Sequence, residues 1–355
     1  MIKNKKLWVV LLIIPMYIVV KLATNNPETV EVIYSKGIYP YIAKLFRYTL
    51  GWIPFSIGDV FLGFSIIYAI RWLILNFKRI WKDTVNWLLD VGATVSIIFI
   101  AFQLLWGLNY HRVALHKTLD LEDDYSTQQL IEVTKQLIKK SNALHLDIVK
   151  NDSIKVVLPF TRSEILELTP TSYDVLKNDF PELAYHPKSL KKSLFSYPQA
   201  YMGFAGYFNP LTHEAQVNYL IPVYKYPTTS AHEVAHQLGY AKENEANFIA
   251  FLATISNQNM YFKYSGYTFG LRHCLGEVYR RDPDLYDTLL ADLNKGIIKN
   301  FQESRQFWLK YMNPLEPFFR STYTTYLKAN NQSKGMDSYS YVVALLVNYL
   351  ENKTL

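Results

Sequence analysis

The chain has 355 residues, enough for one large domain or two smaller ones, and its hydrophobic share of 50% with 15% aromatics is rich for a purely soluble enzyme. Its formal charge of +7 is not organised as a basic stripe interleaved with aromatics, so nucleic acid is not an expected partner. One cluster, Lys188, Lys191 and Lys192, reads as a solvated loop or a face toward anionic lipid.

The apolar excess is concentrated near the N-terminus. Leu7 to Val20 follows Lys3, Lys5 and Lys6 and extends past Lys21 to Ala23. The run is short for a span, but no A-x-A site follows it, which favours an uncleaved first helix over a signal peptide. The second span is expected over Trp52 to Phe77 and the third over Trp87 to Tyr110, each with aromatic anchors near its ends. Asp59, Arg71 and Asp90 are read as interfacial or snorkelling charges. Lys3, Lys5 and Lys6 precede the first span, and Lys78, Arg79 and Lys82 separate the second from the third. The positive-inside rule places both segments in the cytoplasm and everything after Tyr110 outside it, in a multi-pass protein of the cell membrane. Cys274 is the only cysteine, so the exported part relies on its core or a metal for stability, not on a disulfide within the chain.

In the expected exported domain, Thr127 to Leu144 has the spacing of an amphipathic helix and Ile154 to Leu158 reads as a strand. Arg162 to Leu176 suggests a helix interrupted around Pro170. Ser196 to Pro222 reads as short strands and turns ending in a strand from Glu214 to Ile221. The segment from His213 to Asn218 is the candidate edge strand above a substrate site, with His213 a polar strand-end histidine and not a ligand.

Ser230 to His236 contains H-E-x-x-H. On a helix, His232 and His236 lie one turn apart on the same face and can aim two imidazoles at one point. Glu233 sits just off that axis, where its carboxylate can reach a metal-activated water instead of the metal. The alternative role for Glu233 is a capping box with Ser230. Gly239 suits a left-handed C-terminal cap, and a second helix begins near Glu243. Glu243 and Glu245 are both candidates for a third ligand.

These residues resemble the zincin metallopeptidases. In the glutamate-ligand branch a second helix carries E-x-x-x-D; Glu243 to Asn247 is similar to it, with asparagine in the last place. In the metzincin branch the ligand follows the glycine turn, at a position one residue before Glu243. Both comparisons imply Glu243 over Glu245, and Asn247 is then placed to orient a ligand histidine. The whole chain also resembles an uncharacterised family of bacterial membrane-anchored zincin-like proteins that share an N-terminal membrane part, the segment Trp106 to Arg112 and this metal motif.

Beyond the motif the chain is expected to be mainly helical, with stretches around Gly270 to Cys274, Asp284 to Leu293, Asn300 to Tyr311 and Tyr339 to Tyr349. Arg272, His273 and Tyr339 are open choices for stabilising an oxyanion, and none is assigned. The expected fold is α+β: three transmembrane helices in residues 1–110, then a mainly helical zincin-like domain with a small sheet in residues 111–355. The expected function is membrane-anchored, zinc-dependent hydrolysis of a peptide or protein substrate. One zinc ion is held by His232, His236 and Glu243, with Glu233 as general base. The rivals are an intramembrane protease, disfavoured by the polar residues flanking the motif, and an envelope scaffold whose metal is closed off by both Glu243 and Glu245.

Overall fold

The computed structural model describes residues 5–332, 341–351 and 353. The protein is mostly helical with one three-stranded sheet, and three of its helices are long and apolar enough to cross a membrane. These are Lys5–Asn25, Ile57–Asn76 and Thr84–Leu105. The first is longer than the apolar run alone suggests, because Lys5 and Lys6 join its first turn. At one end of the bundle Asp90 pairs with Lys6 and with Arg79 (3.1 Å), beside the turn between the second and third spans.

The opposite end is fastened to the rest of the protein. Glu214 accepts hydrogen bonds from the amides of Ile57 (3.2 Å) and Gly58 (2.5 Å), placing a carboxylate on the positive N-terminus of the second span. Asp59, the next residue and fully buried, accepts from Tyr207, from Ser193 and from the Leu194 amide. Between the first and second spans the chain is not a plain loop. A π-helical stretch, Val30–Ile38, leads into the helix Tyr39–Leu50. Val30, Tyr34, Tyr39 and Ala43 from this segment pack with Trp106, Tyr110 and Phe208 as a second hydrophobic cluster.

The main core is built by the helices Thr127–Val149, Arg162–Leu176, Tyr226–Gln237, Glu243–Ser256, Met260–Arg281 and Tyr341–Leu350. The first two carry complete capping boxes, Ser126 with Gln129 and Thr161 with Glu164. The expected break at Pro170 is absent: the helix runs through it, held by the buried Ile165, Tyr173 and Leu176. The expected strand at residues 154–158 does not form. Asn300 instead bonds both the amide and the carbonyl of Val156 at 3.1 Å, so a side chain does what a neighbouring strand would do. Tyr339 and the turn around Gly335 lie outside the described residues.

The sheet comprises β1 (Leu190–Lys192), β2 (Gly206–Asn209) and β3 (Glu214–Val217), in the order β1-β3-β2. β1 runs parallel to β3 with Leu190 opposite Ala215, and β2 runs antiparallel to it with Gly206 opposite Val217. This corrects the expected edge strand. β3 is central and wholly buried, and β2 is the edge near the motif. His213 is enclosed at the start of β3 by Phe46, Tyr39 and Phe208, and burial lowers its pKa to about 3, so it is a neutral packed ring far from a ligand's role.

Candidate metal centre

The motif helix Tyr226–Gln237 begins a turn before Ser230, with Pro227 in its first turn, where a missing amide costs nothing. Ser230 is therefore inside the helix, its hydroxyl buried without a partner, and the alternative capping box with Glu233 is not made. The helix stops at Gly239, whose φ of +89° is the left-handed cap expected there. A side chain at that position would also meet the Tyr39 ring at 2.9 Å. Four residues later the helix Glu243–Ser256 begins, which brings Glu243 back over the motif.

His232, His236 and Glu243 converge as a group that could hold a metal ion, with donor atoms all within 4.8 Å of one another. His232 Nε2 lies 3.3 Å and His236 Nε2 3.7 Å from the Glu243 carboxylate oxygens. Ligands at about 2.0–2.1 Å in a tetrahedral shell stand about 3.4 Å apart, so nitrogen and oxygen donors in this arrangement fit zinc. The supporting contacts are specific. His236 Nδ1 bonds the Tyr240 carbonyl (2.8 Å), which fixes the ring and leaves Nε2 facing Glu243. The Tyr323 hydroxyl donates to Glu243 Oε1 (2.6 Å). Trp106 donates to the His236 carbonyl (3.0 Å) and Tyr39 to the Gln237 carbonyl (2.9 Å), so the membrane-proximal segments hold the last turn of the motif helix. Asn247 lies beside His232 and favours its charged form, yet His232 Nδ1 and Asn247 Nδ2 are both without a hydrogen-bond partner among the described residues.

Glu245, the other candidate ligand, is committed elsewhere. Its Oε1 accepts from the Leu115 amide (2.9 Å) and lies 3.6 Å from Lys242 Nζ.

The charges are shaped by burial and by one another. Burial opposes ionisation of Glu243, but His232, His236 and Tyr323 outweigh it and hold the carboxyl down to about 2. Burial pushes Glu233 up to about 8, against the pull of His232 and with the repulsion of Glu243. Burial takes His236 down to about 4, helped by His232. Glu233 Oε2 has no hydrogen-bond partner among the described residues, and its carboxylate lies against β2 so closely that a Cβ on Gly206 would sit 2.5 Å from Oε1. All four side chains line one cavity of about 1380 Å³, together with Gly206, Tyr207, Arg272, His273 and Tyr323. Of the residues considered for an oxyanion, Arg272 and His273 are therefore in the cavity wall. Tyr323 escaped sequence reasoning because it lies 80 residues from its partner and is one of 28 tyrosines.

The fold and site define a protein with three candidate membrane-spanning helices and a buried His-His-Glu group under the edge of a small sheet. The chain belongs to the family described as "Protein of unknown function (DUF3810)", which matches residues 34–347. That match takes in the segment from Tyr34 onward, both later spans and the whole metal-ligand group. Comparison with curated proteins and with solved structures returns no match.

Proposed function

We propose that this protein is a membrane-anchored, zincin-like metallohydrolase that cuts a peptide bond. Residues 1–110 form the membrane part, and residues 111–355 form the hydrolase domain on the extracytoplasmic face. His232, His236 and Glu243 hold one zinc ion, which when bound would supply Lewis acidity for the carbonyl and the water that attacks it. The observation that carries the reading is Glu233. It is buried beside the ligand group, has one carboxylate oxygen unpartnered, and faces the same cavity as the ligands. A zinc ion bound at the ligand group would favour the ionised form of Glu233, and a carboxylate so placed takes the proton of the attacking water and returns it to the leaving nitrogen. The edge strand β2, running beside Glu233, is where an extended substrate would add its backbone to the sheet. A structural site closed by two glutamates is not favoured, because Glu245 is engaged with Leu115.

Elemental analysis of the purified full-length protein tests this. The parent is expected to carry one zinc per chain, Glu233→Gln and Glu245→Gln to keep it, and His232→Ala and Glu243→Ala to lose it. On a peptide substrate found with the parent, Glu233→Gln is expected to lower kcat by about 10²–10⁴-fold, the usual worth of a general base. A parent that takes up no metal even when supplied with zinc would overturn the proposal.

A further inference from the structure

The cavity changes character along the axis of the motif helix. Near that helix's C-terminal end its wall continues through Trp106, whose ring is 5.9 Å from that of His236, to Phe102 of the third span. Leu62 and Ile66 of the second span complete this apolar end. Ile66 is nine residues beyond Ile57, the end of the span fastened to the sheet, or roughly 13 Å along the axis. That depth lies within a hydrocarbon layer about 30 Å thick, so the cavity reaches into the bilayer.

The other end is cationic. Lys225 stands just before the motif helix, about 16 Å along its axis from His236. Arg272 and His273 share its wall. Neither Lys225 nor Arg272 forms an ion pair among the described residues. Arg272 donates to the Ser304 hydroxyl (3.1 Å) and also interacts with the Tyr224 hydroxyl, while the nearby carboxylates Glu303 and Glu277 are paired with Lys155 and with Arg280 and Arg281. Burial, and after it the repulsion of Arg272, lowers Lys225 to about 7, and burial with the repulsion of Arg272, Lys225 and His232 takes His273 down to about 3. An anion seated there would relieve that repulsion. Between the two ends lie Glu233 and the edge strand β2.

We propose that the substrate is a peptide tethered to the bilayer by an apolar segment. That segment runs past Ile66 and Phe102, the bond to be cut lies at Glu233, and an acidic group beyond it is held by Lys225 and Arg272. This inference rests on the hydrolase reading and names its substrate class. The backbone edge of β2 selects a peptide over a simple lipid.

The test uses full-length protein in nanodiscs and fluorescent peptides followed by anisotropy, with empty nanodiscs subtracted. The probes are a palmitoylated peptide with aspartates distal to the acyl chain, its asparagine counterpart, a C-terminal amide version, and palmitate alone as competitor. The aspartate peptide is expected to bind at least tenfold more tightly than the asparagine one. That ratio should collapse in Lys225→Met and Arg272→Gln and return in Arg272→Lys. Ile66→Trp, which narrows the bilayer end, should weaken the acylated peptide several-fold with no change in its partition into empty nanodiscs. The ratio is expected to survive in the C-terminal amide version, which assigns the acidic group to the aspartate side chains; its loss on amidation would overturn the inference. Equal affinity of the aspartate and asparagine peptides, no binding of either, no effect of Ile66→Trp, or equal competition by palmitate would overturn it. Metal content measured on the same samples separates the two proposals: acid-dependent binding in a parent that holds no metal would remove the hydrolase and leave only a binding site for a tethered acidic peptide, whereas a metal-loaded parent without such binding would remove this inference alone.

Discussion

At the residue scale the site is one of side chains whose charges are set by their neighbours. Glu243 is buried and yet held ionised, and the hydroxyl of Tyr323 is one of the groups that keeps it so. Tyr323→Phe removes that donor and leaves the ring, which packs edge-on to Phe204 at 5.1 Å and stacks on Tyr326. The expected result is an unchanged fold with metal affinity lower by about 10- to 100-fold, the usual cost of losing a hydrogen bond behind a ligand, measured by competition with a chromophoric chelator. This is also where sequence reasoning divides most clearly. His232, Glu233 and His236 are legible because a helix fixes what four residues of separation mean in space. Glu243 is legible only through the resemblance to the zincins, since the residues alone leave it level with Glu245. Tyr323, Tyr39 and Trp106 are not, because each reaches the motif only through tertiary packing.

At the scale of elements, the segment between the first two spans explains how a metal site and a membrane bundle become one structure. Glu31 in the π-helical stretch accepts from Arg112 at 2.7 and 2.9 Å, and Arg112 also donates to the Gly239 carbonyl at 3.1 Å. Its guanidinium lies 4.1 Å from the centre of the Tyr240 ring, so one side chain clamps the turn that joins the two ligand helices. Both charges are buried, which makes the pair costly to break: removing Arg112 leaves the Glu31 carboxylate with only the exposed Lys36 at 3.3 Å. Arg112→Ala is expected to cost about 3–5 kcal/mol, seen as a lower thermal midpoint in detergent. The double change Arg112→Met with Glu31→Leu should recover most of that stability while leaving the turn at Gly239 less restrained, with metal bound more weakly. None of this was readable from periodicity. The missed strand at residues 154–158 and the uninterrupted helix through Pro170 have the same origin. Asn300 and the surrounding core override what local composition favours.

At the scale of the whole molecule, the three spans, the sheet and the cavity agree on one arrangement. The first and third spans end, and the second begins, on the side where Glu214 holds the Gly58 amide, Asp59 holds the Leu194 amide and Trp106 meets the motif helix. Lys6, Arg79 and Asp90 gather at the other side, next to Lys78 and Lys82. The spans were legible because twenty apolar residues have few other places to go in a folded chain. How deeply the cavity extends beside them was not, since it depends on which side chains the sheet and spans bring together. The basic side should be cytoplasmic by the positive-inside rule, which puts the metal group outside. The protein supplies a quiet background for testing this: Cys274 is its one cysteine, fully buried, with its thiol pushed up to about 12 by burial and by Glu277. A thiol in that state reacts slowly with maleimides, because the thiolate is the nucleophile. Trp81, exposed in the turn between the second and third spans, and Asn178, exposed after the helix Arg162–Leu176, are therefore clean reporter positions. With a membrane-impermeant maleimide on intact cells, Asn178→Cys should label and Trp81→Cys should label only after permeabilisation. The reverse pattern would place the His-His-Glu group in the cytoplasm, and the substrates of the proposed hydrolase would then have to come from that side of the membrane.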